Sequence, residues 1–211
     1  VGERRLEDLV DITNELAETD RDNFLKMTSA AGDSAGELLE IIPLVSGADR
    51  TEFLEVGRTL IGEELENFIT SAKTIVLDSP LGTFSKFVDV TRDLNGIDRQ
   101  LFLETSATAK PDVLEGFIDF TKELITKERF EKRREELNPS LKKFKRPEWT
   151  REIRTNFLLA ASKAGEHLEG LVDTAEKLVI TTYKEPWKLV DIFSAAAASE
   201  KYLGAFIQTS A

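Results

Sequence analysis

Histidine occurs once in this chain, at position 167, and cysteine does not occur. The two-histidine metalloprotease helix, the facial iron triad and the paired Glu-x-x-His motifs of di-iron bundles each need a second imidazole, and zinc-finger or iron–sulfur ligation needs thiolates. All of that chemistry is excluded, and neither a metal nor a cofactor is expected. A Ser-His-Asp triad would have to use His167, but no Gly-x-Ser-x-Gly turn presents a serine to it. The apolar stripe of the surrounding helical pattern runs Phe157, Ala161, Ala164, Leu168, Leu171 and Ala175. His167 lies beside that stripe and reads as a boundary or surface residue.

Asp and Glu total 39, and such abundance strips paired carboxylates of information. Glu63-Glu64-Glu66 and Glu135-Glu136 could approach a partner acid for proton transfer or calcium, but no Asp-x-Asp-x-Asp-Gly loop is present. Solvated helix faces account for them. Gly32-Asp33-Ser34-Ala35-Gly36 lacks the Gly-Lys-Ser/Thr ending of a phosphate loop. Gly116 and Gly170 share one slot of a repeat described below, where glycine costs a helix about 1 kcal/mol relative to alanine. Their recurrence predicts close helix crossing at that slot.

One segment stands out in charge. From Lys127 to Arg154 there are eleven Lys or Arg against six acids, net +5, in a chain whose formal charge is −11. Within it, Lys142, Lys143, Phe144, Lys145, Arg146 and Trp149 interleave bases with aromatics. Such a patch suits a contact with an anionic partner or surface. The plainer reading is a connector whose bases neutralise the acidic body.

These residues must be positioned by helices. The chain has 211 residues, 41% hydrophobic and 32% charged, which is enough for a proper core in a single domain spanning 1–211. Thirteen Phe against two Tyr and two Trp put the aromatic mass on rings that cannot hydrogen-bond, which suits core packing. The acidic balance disfavours nucleic acid as a partner. The longest uncharged run, Tyr202 to Ala211, is half of what a membrane-spanning helix needs, so no transmembrane segment and a soluble domain are expected. The start at Val1, without Met or a signal-like run, reads as a processed form or an excised piece, and the compartment stays open between cytoplasmic and secreted or surface-exposed.

The strongest organisational signal is internal similarity. Asp-Arg-x-x-Phe-Leu occurs at Asp20 to Leu25, Asp49 to Leu54 and Asp98 to Leu103, and a fourth copy at Arg154 to Leu158 has Ile153 in place of Asp. Leu65-Glu66-Asn67-Phe68-Ile69 is echoed by Leu114-Glu115-Gly116-Phe117-Ile118 and by Leu168-Glu169-Gly170-Leu171-Val172. Val10-Asp11-Ile12-Thr13 with Leu16 matches Val88-Asp89-Val90-Thr91 with Leu94, and Val190-Asp191-Ile192 followed by Glu200-Lys201-Tyr202-Leu203 is a fainter trace. Sub-repeats are placed at 4–82, 83–152 and 153–211. The matches of no tetratricopeptide, ankyrin, HEAT or armadillo signature, and the unequal spacings, argue against a regular solenoid.

Mechanically, the Asp of each block is expected to cap its helix, with Glu52 completing a capping box after Asp49 and Ile97 stapling to Phe102 around Asp98. Helices are predicted at 4–18, 21–46 with a break at Gly32 or Pro43, 50–77, 83–94, 99–126 with a kink at Pro111, 127–137, 148–180 and 187–207. The 50–77 helix would be roughly 40 Å long. No strand pattern occurs. The expected fold class is therefore all-α, a bundle of long antiparallel helices built from diverged, unequally spaced helical repeats.

The function expected on these grounds is a non-enzymatic interaction module that binds a protein partner and belongs to a larger repeat protein. The alternative is a secreted or surface helical protein holding a lipid or other apolar ligand between its Phe-lined helices. An enzyme would survive only as a carboxylate hydrolase.

Overall fold

The computed structural model describes residues 2–80, 82–140, 146–182 and 186–198, with side chains throughout except at 2–5, 146–147, 179–182 and 186–187. The described residues are helical without strands, in the order α1 (Gly2–Glu15), α2 (Glu18–Ala30), α3 (Ala35–Ile41), α4 (Gly47–Gly57), α5 (Glu63–Asp78), α6 (Thr83–Asp93), α7 (Gly96–Thr108), α8 (Pro111–Leu137), α9 (Arg146–Ala161), α10 (Leu168–Thr182) and α11 (Pro186–Ala198). Among these residues no helix is long and apolar enough to cross a membrane. The echo at Glu200-Lys201-Tyr202-Leu203 and the end of the 187–207 helix lie outside the described residues.

Most of the expected long helices are pairs of short ones. The 50–77 stripe breaks at Gly62, whose φ of 55° and ψ of −135° belong to a region that only glycine enters readily. The stripe survived the break in the sequence because both halves face one core. At Pro111 the chain stops and restarts: α7 ends at Thr108, and proline opens α8 at a position whose amide would have no helical partner. In the other direction, 127–137 is no separate helix but the second half of the 27-residue α8. The 148–180 pattern splits into α9 and α10 around Gly165.

Every helix packs on the one two places further along the chain, which sorts them into two stacks, α1-α3-α5-α7-α9-α11 and α2-α4-α6-α8-α10. This two-layer arrangement of mostly short helices resembles the stacking in helical solenoids and differs from a bundle of long antiparallel helices. Between the layers runs a ladder of phenylalanines. Ring centroids are 4.9 Å apart for Phe53 and Phe68, 5.3 Å for Phe68 and Phe87, 5.8 Å for Phe87 and Phe102, and 5.5 Å for Phe102 and Phe117. Phe157 and Phe193 extend it at 5.9 and 5.8 Å. All these rings are fully buried, as is Phe24. Each buried ring removes some 150–250 Å² from water, and each ring pair adds about 0.5–1.5 kcal/mol beyond that burial.

The glycine slot is roomier than its recurrence implied. A Cβ on Gly116 would meet Val172 Cγ1 at 3.5 Å, an ordinary contact between α8 and α10. The tight glycine is Gly57, where a Cβ would run into Met27 Sδ and come within 3.3 Å of Phe68 Cε1.

Candidate functional site

The Asp of the Asp-Arg blocks does not cap its helix. The helices begin earlier, after Ala17, Ser46 and Asn95, and none of these caps forms a side-chain bond to the helix. Asp20 and Asp98 are instead buried one turn in. What each accepts comes from the next helix of its stack. Asp20 Oδ2 lies 3.5 Å from Arg50 Nε and accepts a 3.3 Å bond from Thr51 Oγ1. Asp98 Oδ2 lies 2.8 Å from Arg154 Nη2, and its Oδ1 accepts a 2.8 Å bond from Thr155 Oγ1. Arg99 reaches back in the same way to Glu64 on α5, at 2.9 Å. In the second, third and fourth blocks the Arg thus ties its helix to an acid on the first turn of the helix stacked before it, where the helix dipole already favours negative charge, whereas Arg21 donates to the Thr13 and Leu16 carbonyls.

Further pairs cross between stacked neighbours on the exposed faces. Lys86 contacts Asp119 at 2.8 Å and Glu115 at 3.7 Å, and the hydrogen bond to Asp119 raises its pKa. Lys73 bridges Glu40 and Glu37 from α5 to α3, and the bond to Glu40 raises its pKa likewise. These solvent-screened pairs contribute little individually.

The Asp98 and Arg154 pair forms the floor of a polar cleft of about 490 Å³ between the α6–α7 turn, α8 and α9. Arg154 also pairs with Glu128 on α8, and all three side chains are nearly buried. Glu128 accepts in addition a 3.0 Å bond from Arg151 Nε. The rim is cationic and exposed: Arg151, Arg129, which pairs with Asp93, and Lys132, which has no ion-pair partner among the described residues. Ile97 adds an exposed apolar lip. The first turn of α7 also lines the cleft, and the Asn95 side chain makes no capping bond to it.

The cleft can therefore receive negative charge. Its lining holds four cations against three acids on a chain of net charge −11. Buried ion pairs fix the floor, and on the rim Arg151 and Arg129 are themselves paired, with Glu128 and Asp93. All four cations belong to the basic segment noted in the sequence. Of the patch residues, Lys142, Lys143, Phe144 and Lys145 lie outside the described residues, Arg146 opens α9 with its side chain outside them, and Trp149 is half-buried on the first turns of α9. His167 is exposed, with Glu166 Oε1 3.9 Å from its Nε2.

Sequence reasoning missed the cross-stack role of Asp98 and Arg154 because it treated each block as a local capping signal. The clue was Thr following Arg in two copies, Arg50-Thr51 and Arg154-Thr155, which supplies the second donor to each Asp. No family model, curated protein or solved structure matches the chain.

Proposed function

We propose that the chain is a non-enzymatic interaction module built on a diverged helical repeat, and that it docks an acidic segment of a protein partner in the cleft between α8 and α9. The observation that carries this reading is the cationic rim of Arg129, Lys132 and Arg151 over a floor held by Asp98, Arg154 and Glu128. On an otherwise acidic surface such a rim attracts carboxylates locally, while the −11 body repels a long polyanion such as nucleic acid. A short acidic peptide satisfies both conditions. In the sequence, Lys142, Lys143, Phe144 and Lys145 precede α9 and Arg146 and Trp149 fall on its first turns, and we propose this basic stretch as part of the partner contact.

Two facts support the repeat. Val10, Asp11, Thr13, Leu16, Asp20, Arg21, Phe24 and Leu25 each recur 78 residues later, as Val88, Asp89, Thr91, Leu94, Asp98, Arg99, Phe102 and Leu103. The matching residues fall on α1–α2 and on α6–α7, five helices on. Five is odd, so equivalent helices occupy opposite layers, and the spacings between blocks are unequal. The alternative, a lipid or apolar ligand, rests on the Phe excess, and the described rings stack on one another.

The test is a titration of a fluorescein-labelled glutamate-rich peptide, followed by anisotropy, with wild-type protein and with an R129E/K132E/R151E variant. Binding that the variant loses while circular dichroism shows it still folded at the assay temperature supports the cleft. Equal binding by both proteins, or none by the wild type, retires it.

A further inference from the structure

The cleft that holds Asp98 and Arg154 has a counterpart earlier in the stack. Ser46, Asp49, Val76 and Ser79 line a cavity of about 210 Å³ between α4, α5 and α6, and Asn95, Asp98, Ile125 and Glu128, each 49 residues on, line the cleft between α7, α8 and α9. The core rings correspond in the same register, Phe53 stacking on Phe68 at 4.9 Å and Phe102 on Phe117 at 5.5 Å. What differs is the third helix. Arg50, Arg99 and Arg154 each stand three residues before a ladder ring, at Phe53, Phe102 and Phe157, whereas Phe84 stands three before Phe87. At Asp98 the third wall supplies Arg154, and at Asp49 it supplies Phe84.

That exchange leaves two acceptors over. Arg154 pairs with both Asp98 and Glu128. Their counterparts are Asp49, which is exposed and has no hydrogen-bond or ion-pair partner among the described residues, and Ser79, whose Oγ is buried with no hydrogen-bond partner among them. A buried hydroxyl without a partner is costly in a folded chain. The nearby arginines are engaged elsewhere, Arg50 with Asp20 and Arg92 with Glu52 and Asp89. The cavity lies midway along the stack, with α2 and α3 packed before it and α7 and α8 after it.

We infer that the cavity between α4, α5 and α6 binds an arginine side chain of a partner protein, with its guanidinium placed as that of Arg154 is placed at Asp98. One edge of the fork meets the Asp49 carboxylate and a further N–H donates to Ser79 Oγ, while the methylene stem lies along Val45, Val76 and the Phe84 ring. A planar cation with five donors satisfies two acceptors and an aromatic wall together, which a lysine ammonium does less well. The acidic body, at −11, draws such a cation in. The cavity shares no lining residue with the cleft and takes the opposite charge, so either site can fail without the other.

The experiment titrates the full chain, uniformly labelled, with the capped tripeptide acetyl-Ala-Arg-Ala-amide and follows amide shifts. The expected result is saturable shifts at 46–49, 76–80 and 82–84 with a Kd on the order of 1 mM. Binding should weaken about tenfold when citrulline replaces arginine in the peptide or when the protein carries D49N, and about threefold with S79A. The R129E/K132E/R151E protein should bind as the wild type does. Asp49 is exposed, so D49N should fold, and D49S serves in its place if circular dichroism shows that it does not. Equal shifts from the arginine and citrulline peptides, wild-type affinity in D49N, or no saturation at about 50 mM peptide overturns the proposal. Two further arms cover other occupants. Free L-arginine that binds more tightly than the tripeptide assigns the cavity to a small molecule, a lysine tripeptide that matches the arginine one removes the guanidinium, and either result also overturns it.

Discussion

Arg154 on α9 grips Asp98 on α7 across 56 residues of chain, its Nε and Nη2 lying 2.9 and 2.8 Å from the same carboxylate oxygen. The other oxygen of Asp98 accepts from Thr155, so one buried carboxylate takes three donors from a single turn of the neighbouring helix. The corresponding contact in the other stack, between Asp20 of α2 and Arg50 of α4, is looser and more exposed on its Arg side. That difference makes the two pairs a built-in comparison.

Removing the carboxylate should cost more at position 98 than at position 20. A buried ion pair that loses one partner destabilises a protein by about 3–5 kcal/mol when the other charge is stranded. Arg154 keeps Glu128, so D98A should cost about 2–3 kcal/mol, and the Asp20–Arg50 contact is longer and the Arg50 side chain 27% exposed, so D20A should cost about 1 kcal/mol. Urea unfolding of the two variants checks the order. Equal losses would show that the pairs do not hold the stacks together as described.

The phenylalanine ladder makes a steeper prediction. F53A, F102A and F117A each remove a fully buried ring that touches rings on both sides, and each should cost about 3–5 kcal/mol. Their melting temperatures should fall well below that of F130A, since Phe130 is exposed on α8. Matching melting points for F102A and F130A would contradict the ladder.

How far this was legible in the sequence depends on whether the signal was local. Helix class and the burial of Phe24, Phe53, Phe102 and Phe157 follow from composition and spacing, and the structure agrees. The break at Gly62 was invisible to periodicity, because Phe53 and Phe68 keep helical spacing although they stack from different helices. The caps went wrong for a related reason. Asp near a helix start reads locally as a cap, but Asp98 is satisfied by Arg154 and Thr155 from a helix whose proximity no local pattern announces. The cleft inherits that limit, since its cations fall in two short pairs, Arg129 with Lys132 and Arg151 with Arg154, that converge only when α8 and α9 pack.

Gly62 offers a test of the break itself. A Cβ there would touch nothing within 4 Å, so any effect of G62A comes from its φ of 55° and ψ of −135°. The variant should lose about 1–3 kcal/mol without a change of fold by circular dichroism. A G62A protein as stable as the wild type would mean that 47–78 tolerates a continuous helix.

Glu176 gives a pH dependence whose sign can be worked out. Desolvation, and then repulsion from Asp173, Glu123 and Asp119, raises its carboxyl above the ordinary 4.5. A carboxyl raised in the folded state binds more protons there than in the unfolded chain, so its contribution to stability falls as pH rises from the ordinary value through the folded one. The side chain is exposed and solvent screens the effect, so the change is small. E176Q should melt slightly higher than wild type at pH 7, with the gap closing below about pH 4. Thermal melts across that range check it, and a gap that widens on acidification would reverse the assignment.

The most direct test of the proposed docking function maps the contact by amide chemical shifts. Uniformly labelled protein is titrated with the glutamate-rich peptide, and shifted resonances are assigned to positions. The account predicts perturbations centred on 95–98, 125–132 and 151–155, extending into 142–149, that fade as salt rises and vanish in the R129E/K132E/R151E variant. Perturbations confined to the acidic faces of α8 and α10, or none at saturating peptide, would contradict it.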